Sequence, residues 1–199
     1  MARTTRTNII QRHAIVAAGS GALVWLFWMS RPEWTADMRL WRAVGDAAFM
    51  LLIVTLALGP MARLRRGFAP TLSWRRYTGI WFALVALVHG LLILNGWARW
   101  SLDRFLGYEF VPQMGRLVRL EPGFGLANIM GVVALVLALI LAATSTDRAV
   151  QMLGGTSWKW LHNSAHTVFY LSAIHSAYFL FIHYTASFHR APAPENWFR

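Results

Sequence analysis

Histidine is concentrated in one apolar segment of this 199-residue sequence, residues 158–184, which is long enough to cross a bilayer. This segment contains four of the seven histidines, namely His162, His166, His175 and His183. An ionisable side chain is costly inside hydrocarbon, so such a cluster indicates a functional site. Imidazole is also the usual axial ligand of haem iron, and a further histidine, His89, lies deep in another apolar segment.

The composition indicates a membrane protein and excludes several kinds of redox centre. Hydrophobic residues make up 57% of the chain and charged residues 14%, and the mean hydropathy is +0.43, values that suit lipid better than water. We attribute the formal net charge of +11 to basic residues that set the membrane topology and contact anionic lipid. We expect no nucleic-acid binding. Because the chain has no cysteine, disulfides, iron–sulfur clusters and thiolate-ligated haem are excluded.

Five apolar segments predict an all-α integral membrane protein, a bundle of five transmembrane helices in one domain, residues 1–199. The segments are residues 14–30, 44–64, 77–97, 124–143 and 158–184. The first, an additional N-terminal helix, is predicted to be retained because no small-residue cleavage site follows it. We expect Gly59-Pro60 and then the cluster of Arg63, Arg65 and Arg66 to end the second segment, and Asp46 near its outer end to be an interfacial charge. The amphipathic connection 98–122 is expected to lie along the membrane surface. The tail 185–199 contains Pro192 and Pro194 and is not expected to continue a helix.

Arginines set the predicted orientation of the bundle. Five of them crowd into the loop 63–76 between the second and third segments, whereas the loops on the opposite side mix arginine with carboxylates. Basic residues favour the cytoplasmic side of a membrane. We therefore expect the N-terminus to be cytoplasmic and the C-terminus to lie outside.

The membrane depths of His89 and His175 match. At about 1.5 Å per residue, His89 lies ~18 Å from the start of its segment and His175 ~25 Å from the start of the last one. Both would then lie in the outer part of the membrane, where they could coordinate one haem iron from opposite faces. Arg99 and Arg104 could pair with the haem propionates. Small residues would let a flat macrocycle approach: Gly90, Ser172, Ala173, Ser176 and Ala177.

A second haem at His162 would need a different partner. His162 lies near the predicted cytoplasmic end of the last segment, where the third segment offers Arg75 and Arg76 but no histidine. The other ligand would have to be His166, His13 or a group other than histidine.

Two alternatives apply to these histidines. An ideal helix places His162 and His175, which are 13 residues apart, ~140° apart around its axis. Either the helix contains a bulge or the two side chains face different surroundings. A histidine in a membrane helix also often only hydrogen-bonds to a neighbouring helix, so structural roles stay open for His89, His162 and His175, as interfacial roles do for His13 and His183.

Several short motifs carry a resemblance to a known family. They are Arg75-Arg76 with Gly79 and His89, the turn Thr144-Ser145-Thr146, Leu153-Gly154, Trp158, Leu161-His162-Asn163 and Ile174-His175. In this order and spacing, residues 44–184 resemble the ferric-reductase-like transmembrane domain. Within that family they are most similar to the haem-binding membrane subunits of the bacterial protein-methionine-sulfoxide reductase system.

The resemblance implies a membrane b-type cytochrome of a bacterial inner membrane, an electron-transfer subunit and not a self-sufficient enzyme. It implies a haem b held by His89 and His175, and it leaves room for a second haem at His162. Electrons would pass from a cytoplasmic or quinol donor to a periplasmic acceptor, which in that system is a molybdopterin enzyme. A flavin or quinone could bind near Arg75, Arg76 and His162.

The sequence also departs from that family. Members usually continue into a sixth helix, which we do not expect here, and the larger ferric reductases and NADPH oxidases add a flavin and nicotinamide domain. The oxidases carry a second histidine where this sequence has arginines. One alternative is therefore an accessory or structural subunit that packs against a larger membrane complex, with or without haem. Another is a metal reductase that receives its metal at His183 and His189.

Overall fold

The computed structural model describes residues 6–119 and 121–183. Its elements, in chain order, are α1 (Arg6–Met29), α2 (Ala36–Leu64), a 3₁₀ segment (Arg66–Trp74), α3 (Arg75–Leu92) with a π-helical turn (Ile93–Trp97), α4 (Leu102–Phe105), β1 (Tyr108–Val111), a 3₁₀ turn (Pro112–Met114), β2 (Arg116–Arg119), α5 (Pro122–Ala143), α6 (Asp147–Leu153), α7 (Gly155–Asn163), and α8 (Ala165–Ala177) with a π-helical turn (Tyr178–Ile182).

Within the described ranges, five stretches of helix are long and apolar enough to cross a membrane. Their outward side chains are apolar, as on α5, where Leu126, Val133 and Ile140 are exposed; a surface of this kind suits lipid. The prediction of an all-α integral membrane bundle is therefore confirmed. The orientation of the N-terminus and the domain limits stay predictions, and the tail 185–199 lies outside the described residues. The five stretches are Thr7–Met29, Ala36–Leu64, Arg66–Trp97, Gly123–Ala143 and Gly155–Ile182.

Small residues place α2 at the centre of the bundle. Ala43, Ala47 and Ala48 are buried on one face of α2, and small side chains let membrane helices approach closely. This helix contacts α1, α3 and α8, while α5 contacts both α3 and α8. The buried core joins Phe82 of α3 and Val168 of α8 to the α2 face. As a result α2, α3, α5 and α8 surround a common interior.

The second transmembrane helix begins earlier than predicted and continues past its proline. It begins at Ala36 and runs through Pro60 to Leu64. Gly59-Pro60 therefore does not end the helix, whereas the predicted bound at residue 64 agrees with the structure. Proline removes one helical hydrogen bond, and here that loss falls in the last part of the helix. The helix ends where Arg65 turns to extended backbone, with φ −139° and ψ 115°.

The connection 98–122 contains a β-hairpin. β1 and β2 pair antiparallel, with Tyr108 opposite Arg119 and Phe110 opposite Leu117. The turn between them contains Gly115 with φ +60°, a conformation that glycine adopts without strain. Our sequence analysis identified the amphipathic character of this connection and missed its strands, because four-residue strands leave a weak signal.

The last transmembrane segment is interrupted at Ser164. This residue lies between α7 and α8, and its hydroxyl donates to the Leu161 carbonyl at 2.7 Å, a local bond that competes with regular helix. The ideal-helix angle between His162 and His175 therefore does not apply. Between the two histidines the helix is interrupted and contains no bulge, and the two side chains have different neighbours, as the second alternative states.

Candidate paired-histidine site

His89 and His175 come together in the interior of the bundle. His89 lies near the C-terminal end of α3 and His175 near that of α8, and their ring centres are 6.5 Å apart with ring planes at 79°. Each is followed within about one turn by a π-helical turn, a feature that often accompanies functional sites. The structure thus brings together the two predicted ligands.

Backbone carbonyls orient both imidazole rings. The Nδ1 atom of His89 lies 3.0 Å from the Trp41 carbonyl oxygen, and Nδ1 of His175 lies 2.8 Å from the Ala127 carbonyl oxygen. A carbonyl can only accept, so Nδ1 is the protonated nitrogen in each ring and Nε2 carries the lone pair. This arrangement is typical of metal-ligating histidines, whose second nitrogen donates to a carbonyl or carboxylate.

Two glycines allow the rings to occupy these positions. A Cβ atom on Gly45 of α2 would lie 2.9 Å from Cε1 of His89, and one on Gly131 of α5 would lie 2.9 Å from Nδ1 of His175. Any side chain at either position would therefore displace the ring. Sequence analysis missed both residues, although an isolated glycine inside an apolar helix often marks such a close approach.

A cavity of about 270 Å³ contains both histidines. It lies between α2, α3, α5 and α8, and most of its lining is apolar or aromatic. The aromatic residues are Trp41, Phe49, Phe82, Trp97, Phe105, Phe124 and Phe179, and the polar ones are Arg42, Asp46, Asn128, Ser172, Ser176 and His183. Asn128 is buried and donates to the Phe105 carbonyl at 2.8 Å, which holds α4 against α5.

The separation of the two imidazoles would let them hold one metal ion between them. A metal–nitrogen bond of about 2 Å on each side places the two ring centres roughly 6 to 6.5 Å apart, and the observed separation is 6.5 Å. An iron ion with six donors would need four more besides the two histidines. A porphyrin would supply these as its four nitrogens. The donor set, the apolar lining and the paired geometry therefore suit a haem between His89 and His175.

Charged side chains lie on the side of this cavity that is formed by α2. Arg31 pairs with Asp46 at 2.7 Å, and their side chains are 11% and 26% exposed. Asp46 and Arg42 both line the cavity. Sequence analysis treated Asp46 as an interfacial charge and did not consider Arg42, because the second segment was predicted to begin only at residue 44.

Breaking the Arg31–Asp46 pair is expected to destabilise the bundle. In Asp46→Asn the buried Arg31 guanidinium loses its carboxylate, and we expect a loss of about 2 kcal/mol, below the usual value for a fully buried pair because Asp46 is partly exposed. Thermal unfolding of the detergent-solubilised protein would measure it. The matched control is Asp147→Asn, which breaks an exposed pair with Arg76 (2.6 Å, 42% and 83% exposed) and should cost less than about 1 kcal/mol. Equal effects would contradict the prediction.

The two arginines that the sequence analysis predicted to pair with the haem propionates lie outside this cavity. Arg99 is exposed, and Arg104 is half-buried with its guanidinium 5.9 Å from the centre of the Trp97 ring. Neither is among the residues that line the cavity within the described part of the chain.

His162 has separate surroundings. Its ring stacks on Trp158 with centres 3.9 Å apart, and its Nε2 lies 3.2 Å from the Thr144 hydroxyl. Trp158 in turn donates to the Thr144 carbonyl at 2.9 Å. Arg75 and Arg76 are both exposed, and Arg76 pairs with Asp147. A second haem, flavin or quinone at this position stays a prediction.

His183 and His13 each have a defined partner. His183 lines the cavity and pairs with Glu121 at 2.7 Å, with side chains 17% and 11% exposed. His175, Phe179 and His183 follow one another at a spacing of four residues, which places all three on one side of the helix. This spacing was the sequence signal that could have placed His183 at the cavity. His13 accepts a hydrogen bond from the Trp81 indole at 3.2 Å, which joins α1 to α3.

Fold and site together define a class: a multi-pass helical membrane protein in which histidines from two helices line one cavity, with ring centres 6.5 Å apart. The profile of the family described as "Ferric reductase like transmembrane component" matches residues 44–173, more than half of the chain. The chain therefore belongs to this family, and the resemblance drawn from the sequence motifs is confirmed.

Similar proteins include members of two named groups. The magnetosome protein MamZ of Paramagnetospirillum magneticum is 31% identical over 134 residues, which cover 67% of this chain and 19% of that protein. The protein-methionine-sulfoxide reductase heme-binding subunit MsrQ of Ralstonia nicotianae is 32% identical over 135 residues, 67% of this chain and 55% of that one. MsrQ of Klebsiella pneumoniae is 32% identical over 162 residues, 79% and 74% of the two chains.

The chain thus spans about a fifth of the MamZ relative and about half of the Ralstonia relative. No solved structure matches the sequence at a significant level.

Proposed function

We propose that this chain is a membrane b-type cytochrome subunit, which transfers electrons across the membrane through a haem ligated by His89 and His175. One observation carries the proposal: the ring centres of the two imidazoles lie 6.5 Å apart in one cavity, and each Nδ1 donates to a backbone carbonyl. The two MsrQ relatives are named heme-binding subunits, which agrees with this assignment.

The residues of the chain would set the properties of the site. Haem, when bound, supplies a one-electron redox couple. The Trp41 and Ala127 carbonyls fix the tautomer of His89 and His175 and make each Nε2 atom more basic, which would favour the oxidised iron. The aromatic lining excludes water and disfavours the extra charge of the oxidised iron, so these two effects act in opposite directions on the reduction potential.

The proposed electron path ends at the outer face of a bacterial inner membrane. His89 and His175 lie towards the ends of α3 and α8, on the far side of the bundle from the arginine-rich loop 63–76, which we predict to be cytoplasmic. The donor would be cytoplasmic or a quinol, and the acceptor would be periplasmic. Because the MsrQ relatives are named subunits, we expect the acceptor to be a partner protein.

A second candidate function is an accessory subunit that packs against a larger membrane complex. The match to MamZ covers 19% of that protein, so a similar segment also forms part of a longer chain. The exposed apolar faces of the five helices could contact other membrane helices as well as lipid.

The absorption spectrum of the purified membrane protein distinguishes these candidates. After reduction with dithionite we expect the α-band of bis-histidine haem b, with about one haem per chain if only the His89–His175 pair is filled and about two if His162 also holds one. Protein prepared from haem-replete cells that lacks any such band would contradict the cytochrome proposal and favour the accessory subunit.

A further inference from the structure

Arg42 lies on the same part of α2 that positions His89. It follows Trp41, whose carbonyl accepts the hydrogen bond from His89, and precedes Gly45, whose Cα faces the His89 ring. Its side chain lines the cavity that contains both histidines.

The surroundings of Arg42 suit an anionic ligand. A charged group within a membrane helix is costly unless it faces a cavity or a counter-charge, and this cavity is mostly apolar. Arg42 and the Asp46 carboxylate, which pairs with Arg31 at 2.7 Å, both line the cavity. Arg42 therefore brings a positive charge to the side of the cavity that α2 forms.

We propose that Arg42 binds a propionate carboxylate of the haem held between His89 and His175. This inference rests on the proposed function. Haem b carries two carboxylates on one edge of an otherwise apolar macrocycle, and arginine forms strong, paired hydrogen bonds with carboxylates. The same charge stabilises reduced iron, so Arg42 also raises the reduction potential. Arg42 thus takes the role of propionate partner that the sequence analysis gave to Arg99 and Arg104. Neither of these two is among the described residues that line the cavity.

Reconstitution of the haem-free protein with two probes tests the inference. The probes are haemin and haemin dimethyl ester, in which both carboxylates are blocked. The wild-type protein should bind the ester about tenfold more weakly than haemin, since a charge-assisted bond is lost. Arg42→Gln should bind haemin about tenfold more weakly and the ester unchanged. Arg42→Lys should recover part of the haemin affinity, and the reduction potential of Arg42→Gln should fall.

Arg99→Gln is the matched control and should bind both probes like the wild type, because Arg99 is exposed. The inference is overturned if the wild-type protein binds both probes equally, or if Arg42→Gln weakens both by the same factor. The wild-type comparison does not depend on any variant folding. A wild-type protein that binds neither probe would overturn the proposed function itself, and this outcome is distinct from the other two.

Discussion

Replacement of His175 by alanine is expected to remove nearly all haem from the paired-histidine site, and His89→Ala should do the same. Each variant deletes one of the two proposed haem ligands, and a bound haem would then depend on a single imidazole in an apolar cavity. His175→Ala also removes the ring contact with Phe179, whose centre lies 5.1 Å away. The haem-to-protein ratio and the dithionite-reduced spectrum of the purified variants would measure the loss.

Two further histidines provide controls for this result. His166 is exposed and its Nδ1 lies 3.1 Å from the Asn163 carbonyl, so His166→Ala should keep the wild-type haem content. His162→Ala should leave the His89–His175 haem in place, and a partial loss would identify a second haem at His162. If His175→Ala and His89→Ala both keep the wild-type haem content and spectrum, the assigned ligands are wrong.

The transmembrane helices and the depth of the two ligands could be predicted from sequence because both depend on local features. A long apolar run must be helical in lipid, where its backbone has no other partner for hydrogen bonds. The rise per residue then fixes how far His89 and His175 lie from the ends of their helices. The structure brings these two rings to 6.5 Å, although their residues are far apart in the chain.

The features that sequence analysis missed depend on contacts between elements. The partners of His89 and His175 are backbone carbonyls of Trp41 and Ala127, and a carbonyl has no side-chain signature. The break at Ser164 occurs without glycine or proline, the residues that most reliably mark interruptions.

The charged end of the cavity was missed for a different reason. A predicted start at residue 44 left Arg42 outside the second helix, whereas the helix begins at Ala36. Asp46 lies close to the predicted start of that segment at residue 44. Its pairing with Arg31 could therefore not be distinguished from exposure at the membrane interface. The partner residue, Arg31, precedes α2 and is brought to Asp46 only by the packing of α1 against α2.

Gly131→Ala is expected to weaken haem binding by about ten- to a hundredfold, which corresponds to an overpacking cost of about 1 to 3 kcal/mol. The new Cβ atom would lie 2.9 Å from Nδ1 of His175, so the ring would have to move. That movement would lengthen the 2.8 Å hydrogen bond to Ala127 and displace Nε2 of His175, the proposed ligand atom. Haem titration of the reconstituted variant would measure the change.

A matched substitution separates this effect from a general cost of alanine in a helix. Gly19 lies within α1, and no atom lies within 4 Å of the position that a Cβ atom would occupy there. Gly19→Ala should therefore leave haem binding unchanged and should stabilise its helix slightly. Gly45→Ala should reproduce the Gly131→Ala defect through His89. If Gly131→Ala binds haem like the wild type, the His175 ring does not occupy the described position when haem is bound, and the role of the two glycines is refuted.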